Sequence, residues 1–275
     1  MIGIIGAICG DIIGSPFEFR PNRDIKIKYD FNMADDRMRP TDDSVCTLAV
    51  ADWLLHTDRT HDALIDKLHY WCNKYDFGFA QLFRQWVRNK NRLPYNSYGN
   101  GSAMRVSPVA WVAQSEEECL ELAKISAEVT HNHQFGILGA QCIALAIYYN
   151  RIGLPKDEII AKLDKRFGFI LTHTYDEYKA VHEFNCINQV SVPACIACWY
   201  ESDSYEDCIR KAIALSGDTD TEACIAGSIC NANPDTQITD ETLSLIWEHC
   251  SFLTDEMVDL INEFHEKYEV QPEEL

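Results

Sequence analysis

The chain has 275 residues, 47% of them apolar, enough to bury a sizeable core, and no break in composition calls for more than one domain, so residues 1–275 are read as a single unit. Forty-three acidic side chains against 24 basic ones give a net charge of −19. A surface of that sign repels phosphate, which argues against general nucleic-acid binding and against docking on anionic membranes.

The chain starts with the apolar run MIGIIGAICGDIIG, which lacks a basic leader, is interrupted by Asp11 and is too short to span a bilayer. Residues 16–43 follow as a proline-containing loop of mixed charge, with 26–31 (KIKYDF) the only short strand candidate. Apolar positions three and four apart then predict helices over 44–56, 60–75, 115–130, 134–150, 155–165, 204–214, 239–250 and 253–268. Ser115 with Glu118, and more weakly Ser204 with Asp207, have the spacing of a capping box. Residues 91–101 and 168–175 interrupt the pattern as loops, and the tail QPEEL ends the chain. The expected fold class is all-α. Twelve cysteines, scattered singly apart from Cys195 and Cys198, read as buried, reduced thiols of a cytoplasmic protein rather than a disulfide framework or a redox pair.

Two acidic motifs open helices. Thr41-Asp42-Asp43-Ser44 taken alone is explained by capping: Thr41 as N-cap, and two carboxylates on the positive end of the dipole. Ser216-Gly217-Asp218-Thr219-Asp220-Thr221 carries more acid than one cap needs. Glu18 lies on the long loop that leads into the first motif. If the fold gathers these five carboxylates, their repulsion must be relieved by protons or cations. Oxygen donors without cysteine or histidine suit magnesium, manganese or calcium rather than zinc, and five charges suffice for two ions. A third motif, Ser97-Tyr98-Gly99-Asn100-Gly101-Ser102-Ala103-Met104-Arg105, offers backbone N–H groups at a glycine-rich helix start, a plausible cradle for a pyrophosphate. The fourth, Thr130-His131-Asn132-His133, joins two helices.

Taken in order, GDIIGSPFEF, TDDS, GNGSAMR, TH and SGDTDTEACIAG resemble the ADP-ribosylglycohydrolase family over about residues 3 to 230. The resemblance implies a compact orthogonal helical domain holding two Mg2+ ions, with Mn2+ as a substitute. Thr41, Asp42 and Asp43 would bind one ion, Asp218 and Thr221 the other, and Asp220 both. Glu18 resembles the family's mobile glutamate, a metal ligand that moves aside for substrate. Ser97, Tyr98, Gly99, Asn100 and Gly101 match the loop that holds the diphosphate and distal ribose, and His131 matches a ligand-contacting histidine. Ser44 and Ser216 depart from the commoner threonine and glycine without removing a ligand.

The implied reaction is metal-assisted hydrolysis of a glycosidic bond, with ADP-ribosylated protein or another ADP-ribosylated acceptor as substrate and ADP-ribose as product. Asp43 or Glu18 would accept the proton of the attacking water, and Asp218 would stand beside the developing oxocarbenium. The glycine loop looks most like the branch that cleaves O-linked ADP-ribose from serine, although relatives acting on N-linked arginine share the metal motifs. Two alternatives are a non-catalytic ADP-ribose-binding or crystallin-like relative and a helical phosphohydrolase. The second would be expected to add histidine ligands, and no histidine adjoins either acidic motif in the chain.

Overall fold

The computed structural model describes residues 3–19, 25–169 and 171–268. Residues 20–24 of the first loop, residue 170 and the tail 271–275 lie outside the described residues. In chain order the helices are α1 (Ile5–Glu18), α2 (Asp42–His56), α3 (His61–Lys74), α4 (Gln81–Arg88), α5 (Gly101–Met104), α6 (Ser107–Val112), α7 (Glu116–Glu128) and α8 (Gln134–Arg151). They continue as α9 (Lys156–Phe167), α10 (Tyr175–Val181), α11 (Asn188–Tyr200), α12 (Tyr205–Leu215), α13 (Thr219–Cys230), α14 (Asp240–His249) and α15 (Asp255–Tyr268). The fold is all-α: among the described residues there is no strand, only one isolated bridge between Gly99 and Ile187.

The scaffold is built on two buried helices, α1 and α13, packed antiparallel. Gly6, Gly10 and Gly14 form a stripe on α1 because α13 leaves no room for a side chain there. A Cβ on Gly10 would stand 2.2 Å from the carbonyl oxygen of Ala223, and one on Gly14 would stand 2.4 Å from that of Thr219. Hydrogen bonds lock the pair at both ends: Asn231 Nδ2 donates to Gly3 O, and Thr219 Oγ1 donates to Gly14 O. This crossing carries the C-terminal end of α1 to the N-terminus of α13. Helix α2, buried on almost every side, crosses the same pair.

Every helix predicted from periodicity is present. Three expectations change. The first loop begins later than residue 16, because α1 runs through Pro16 to Glu18. Proline cannot donate to Ile12 O; Ser15 Oγ donates to it instead, at 2.9 Å, so the helix continues. Residues 26–31 form no strand. Their bonds go to the α12–α13 corner, where Ile27 N donates to Ser216 Oγ at 2.7 Å and Arg210 Nη1 donates to Phe31 O. The complete capping box belongs to Thr174 and Glu177, at the edge of a stretch that the sequence presents as loop. At Ser115 and Ser204 only the serine half forms, since Glu118 and Asp207 turn to the backbone N–H groups of Gln114 and Asp203.

All twelve cysteines are free and ten are fully buried, Cys195 and Cys198 included; Cys186 is the exposed one. Among the described residues no helix is long and apolar enough to cross a membrane.

Candidate active site

The first acidic motif, Thr41-Asp42-Asp43-Ser44, is held from across the fold by a residue to which the sequence alone assigns no role. Asp11, wholly buried on α1, accepts four hydrogen bonds from this segment. They come from Thr41 N (2.9 Å), Thr41 Oγ1 (2.6 Å), Ser44 N (3.0 Å) and Ser44 Oγ. A carboxylate from one helix thus caps the start of another. In the sequence it is a lone aspartate interrupting an apolar run, within the GDIIGSPFEF segment. Thr41 is also the N-cap of α2, as capping chemistry predicts, with its hydroxyl accepting from Asp43 N.

The α1–α13 crossing brings the second motif to the first. Thr221 Oγ1 donates to Asp43 Oδ2 at 3.2 Å. Carboxylate oxygens of Asp11, Asp43 and Asp220 lie within 4.8 Å of one another, and so do those of Glu18, Asp218 and Asp220. Asp220 is common to both triplets. Asp11 is the weakest candidate ligand among these acids, because its oxygens are already engaged by four donors.

The site meets the requirements of hard divalent cations. Its donors are all oxygen, and Asp43 Oδ1 and Asp220 Oδ1 are buried without a hydrogen-bond partner among the described residues. Among the described residues no lysine or arginine forms a salt bridge with Asp11, Asp42, Asp43, Asp218 or Asp220. Without cations the carboxyls are forced to hold protons. Burial, then Asp11 and Glu18, push Asp42 up to about 8. Burial raises Asp43 and Asp220 well above the ordinary range, with neighbouring carboxylates adding to it, and Asp218 is raised by burial.

Above this floor opens a cavity of about 500 Å3, within the range of small-molecule sites. Glu18, Asp42, Asp218, Asp220 and Thr221 line it, as do Ser97, Gly99, Asn100, Gly101 and His131, while Thr41 and Asp43 are buried beneath. Tyr98 is not in the wall. Its ring is 47% exposed and tilts against His133, with centroids 5.2 Å apart. Asn100 serves the acidic floor: its Nδ2 donates to Asp218 Oδ2 at 2.8 Å and to Ser191 Oγ.

The glycine loop is expected from its sequence to present free backbone N–H groups, and two of them are already engaged. Gly99 N donates to Ser97 Oγ, and Asn100 N to Cys186 O. Asn188, fully buried at the start of α11, clamps the loop by donating to Gly99 O (2.9 Å) and to Phe135 O (3.0 Å). Behind Gly217, His182 Nε2 and Glu222 Oε1 share a buried hydrogen bond, and a Cβ on Gly217 would lie 2.6 Å from the imidazole and 2.5 Å from the carboxylate. A histidine therefore does stand beside the second acidic motif, brought there by the fold and held by Glu222 rather than aimed at the aspartates. Asn188 and His182 lie outside every motif, while Asp11 and Glu222 lie within GDIIGSPFEF and SGDTDTEACIAG, where the sequence alone assigns them no role in the site.

An all-helical scaffold with carboxylates gathered under one cavity defines a helical protein with an acid-centred, cation-ready pocket. The chain belongs to the ADP-ribosylglycohydrolase family, whose pattern it matches over residues 2–270. It is similar to the ADP-ribosylhydrolase ARH3 of Danio rerio, 24% identical with 96% of this chain and 89% of that protein covered. The ARH3 of Homo sapiens is likewise 24% identical, with 83% of each chain covered. A solved structure described as an ADP-ribosylglycohydrolase-related protein complex superposes with a TM-score of 0.73 at 20% identity, over 97% of this chain and 96% of that one, which bears on the fold. The protein is an ADP-ribosyl glycohydrolase. Its family is metal-dependent and acts on ADP-ribosylated substrates to give ADP-ribose.

Proposed function

We propose that this chain hydrolyses the glycosidic bond between ADP-ribose and a modified acceptor with the help of two Mg2+ ions, replaceable by Mn2+. The observation that carries this reading is the shared position of Asp220 between two carboxylate triplets, with Asp43 Oδ1 and Asp220 Oδ1 buried and unpartnered on the cavity floor. Thr41, Asp42 and Asp43 would hold one ion, Asp218 and Thr221 the other, with Asp220 between them and Glu18 at the open side. Bound there, the ions would neutralise the acidic floor and act as Lewis acids toward substrate oxygens.

The protein's own groups supply the rest. Ser97, Gly99, Asn100, Gly101 and His131 line the cavity with the acids and would orient the diphosphate and distal ribose. Departure of the acceptor leaves positive charge on the anomeric carbon, which the carboxylates of Asp218 and Asp220 favour. Glu18 is the better placed of the two candidate bases: it lines the cavity, whereas Asp43 is 1% exposed and lies beneath. We therefore assign to Glu18 the proton of the attacking water. The acceptor we propose is serine, joined through oxygen, with arginine as the competing case.

Serine-linked and arginine-linked ADP-ribosyl peptides of matched sequence, incubated with and without chelator, test this reading. Release of ADP-ribose from the serine peptide that stops in chelator and returns with magnesium is expected. Undiminished release in chelator would overturn the metal assignment. Tenfold faster release from the arginine peptide, about 1.4 kcal/mol in the barrier, would overturn the acceptor. Tight binding of ADP-ribose without release from either peptide would favour a non-catalytic binder.

A further inference from the structure

Arg105 is a guanidinium buried to 1% exposure with no carboxylate partner among the described residues. It closes the GNGSAMR motif and lines the cavity wall. Its Nη2 donates to Ser126 O at 2.6 Å and to Thr130 Oγ1 at 2.9 Å. Thr130 Oγ1 in turn lies 2.7 Å from His131 Nδ1. Thr130 is itself fully buried, and these are the only two groups its hydroxyl meets among the described residues.

That geometry leaves one arrangement of protons. A guanidinium can only donate, so Thr130 Oγ1 accepts from Arg105. If the threonine also accepted from His131 Nδ1–H, its own hydroxyl proton would be buried with nowhere to go, at a cost of about 1–3 kcal/mol. Donated to Nδ1, the same proton satisfies both groups. Nδ1 is then an acceptor, and the imidazole proton must sit on Nε2. The ring cannot easily add a second proton, since burial, and then the nearby Arg105 charge, hold His131 well below its ordinary range.

Nε2 faces the two glycines of the loop. A Cβ on Gly101 would stand 3.2 Å from it and one on Gly99 3.6 Å, so the absence of side chains there leaves space in front of the N–H. We infer that Arg105 and Thr130 are positioning residues that hold His131 as a neutral Nε2–H donor pointed across the glycine loop at an anionic oxygen, such as a phosphate oxygen of the ligand. The donor role rests on the ADP-ribose reading above; the tautomer does not.

The test is nitrogen-15 NMR of histidine-labelled protein, with ADP-ribose titration by calorimetry alongside. In the unsubstituted protein, His131 is expected to show a protonated Nε2 and an unprotonated Nδ1. Thr130→Val, close to isosteric, should mix the tautomers and weaken ADP-ribose binding roughly tenfold. Thr130→Ser, which keeps the hydroxyl, should restore both, and thermal melts verify that the variants fold. A protonated Nδ1 in the unsubstituted protein, or an unchanged spectrum in Thr130→Val, would overturn the relay. A mixed tautomer with unchanged affinity would overturn the donor role. Failure of the unsubstituted protein to bind ADP-ribose would count against the functional reading, while the tautomer, read directly from the nitrogen shifts, would still be decided.

Discussion

Thr41 Oγ1 donates its proton to Asp11 Oδ1 across 2.6 Å. The consequence reaches the acidic floor, because a hydroxyl can bind a cation only through its lone pairs. With its hydrogen drawn toward Asp11 and one lone pair accepting from Asp43 N, Thr41 keeps one lone pair for an ion. Partners of this kind usually tune metal affinity 10–100-fold. Asp11→Asn, which keeps the shape but loses one of the accepting oxygens, should therefore lower magnesium affinity by roughly that factor in a folded protein. Asp11→Ala should also lower the melting temperature, since each buried donor left unpaired costs about 1–3 kcal/mol. Calorimetric metal titration decides it; unchanged affinity in Asp11→Asn would remove Asp11 from the site.

The metal-free protein should lose stability as pH rises from about 4 to about 8. Asp42 moves from 3.8 to about 8 on folding, and Asp43 and Asp220 are raised as well. The folded state then binds more protons than the unfolded one, so ionisation across that window works against folding. Magnesium should abolish the trend. Asp220→Asn should flatten it too, while hydrolysis falls nearly to zero. Melting curves against pH, with and without magnesium, would show a flat metal-free profile if this account were wrong.

Gly14→Ala places a methyl group 2.4 Å from Thr219 O, one residue from Asp218. Overpacking of this kind costs about 1–3 kcal/mol. Activity should fall further than that loss implies, because α1 carries both Asp11 and Glu18 and would be pushed off α13. The comparison is turnover at a temperature where circular dichroism reports the variant fully folded. Full turnover there would mean that the spacing of the two helices is not critical.

His56 ties α15 to α2. Its Nδ1 lies 2.8 Å from Asp52 Oδ1 and its Nε2 2.8 Å from Glu263 Oε1. Serving two carboxylates takes both ring protons, and Asp52 above all raises the imidazole above 6.5. A raised histidine stabilises below its unfolded value, and that contribution disappears as pH climbs through the folded value. The imidazole is 41% exposed and Glu263 52%, so solvent screens the contact and the effect is about a few tenths of a kcal/mol. Amide exchange in α15, corrected for intrinsic rate, should quicken on passing from about pH 6 to about 8, and His56→Gln should remove the dependence. Unlike the carboxylate effect, it should persist in magnesium.

Much of this protein is legible in one dimension. Helical periodicity places helices such as α3, α9 and α12 because burial on one side repeats every 3.6 residues. It passes over α1 and α11, which are buried on almost every side. SGDTDT stands out because no cap needs so many carboxylates, whereas TDDS alone reads as a cap. Local chemistry also locates the N-cap at Thr41. What the chain cannot disclose is what depends on approach through space. Asp11 looks like a flaw in an apolar run until α1 crosses α2. Pro16 looks like a helix end, and only Ser15 bonding to Ile12 O lets the helix carry Glu18 to Asp218 and Asp220. Asn100 sits in a loop suited to a ligand, yet its amide goes to Asp218, 118 residues away in sequence. The residue types and their order settle which groups are available. Which of them meet is decided by the three glycines of α1, whose missing side chains let two buried helices close to backbone contact and draw both acidic motifs onto one floor.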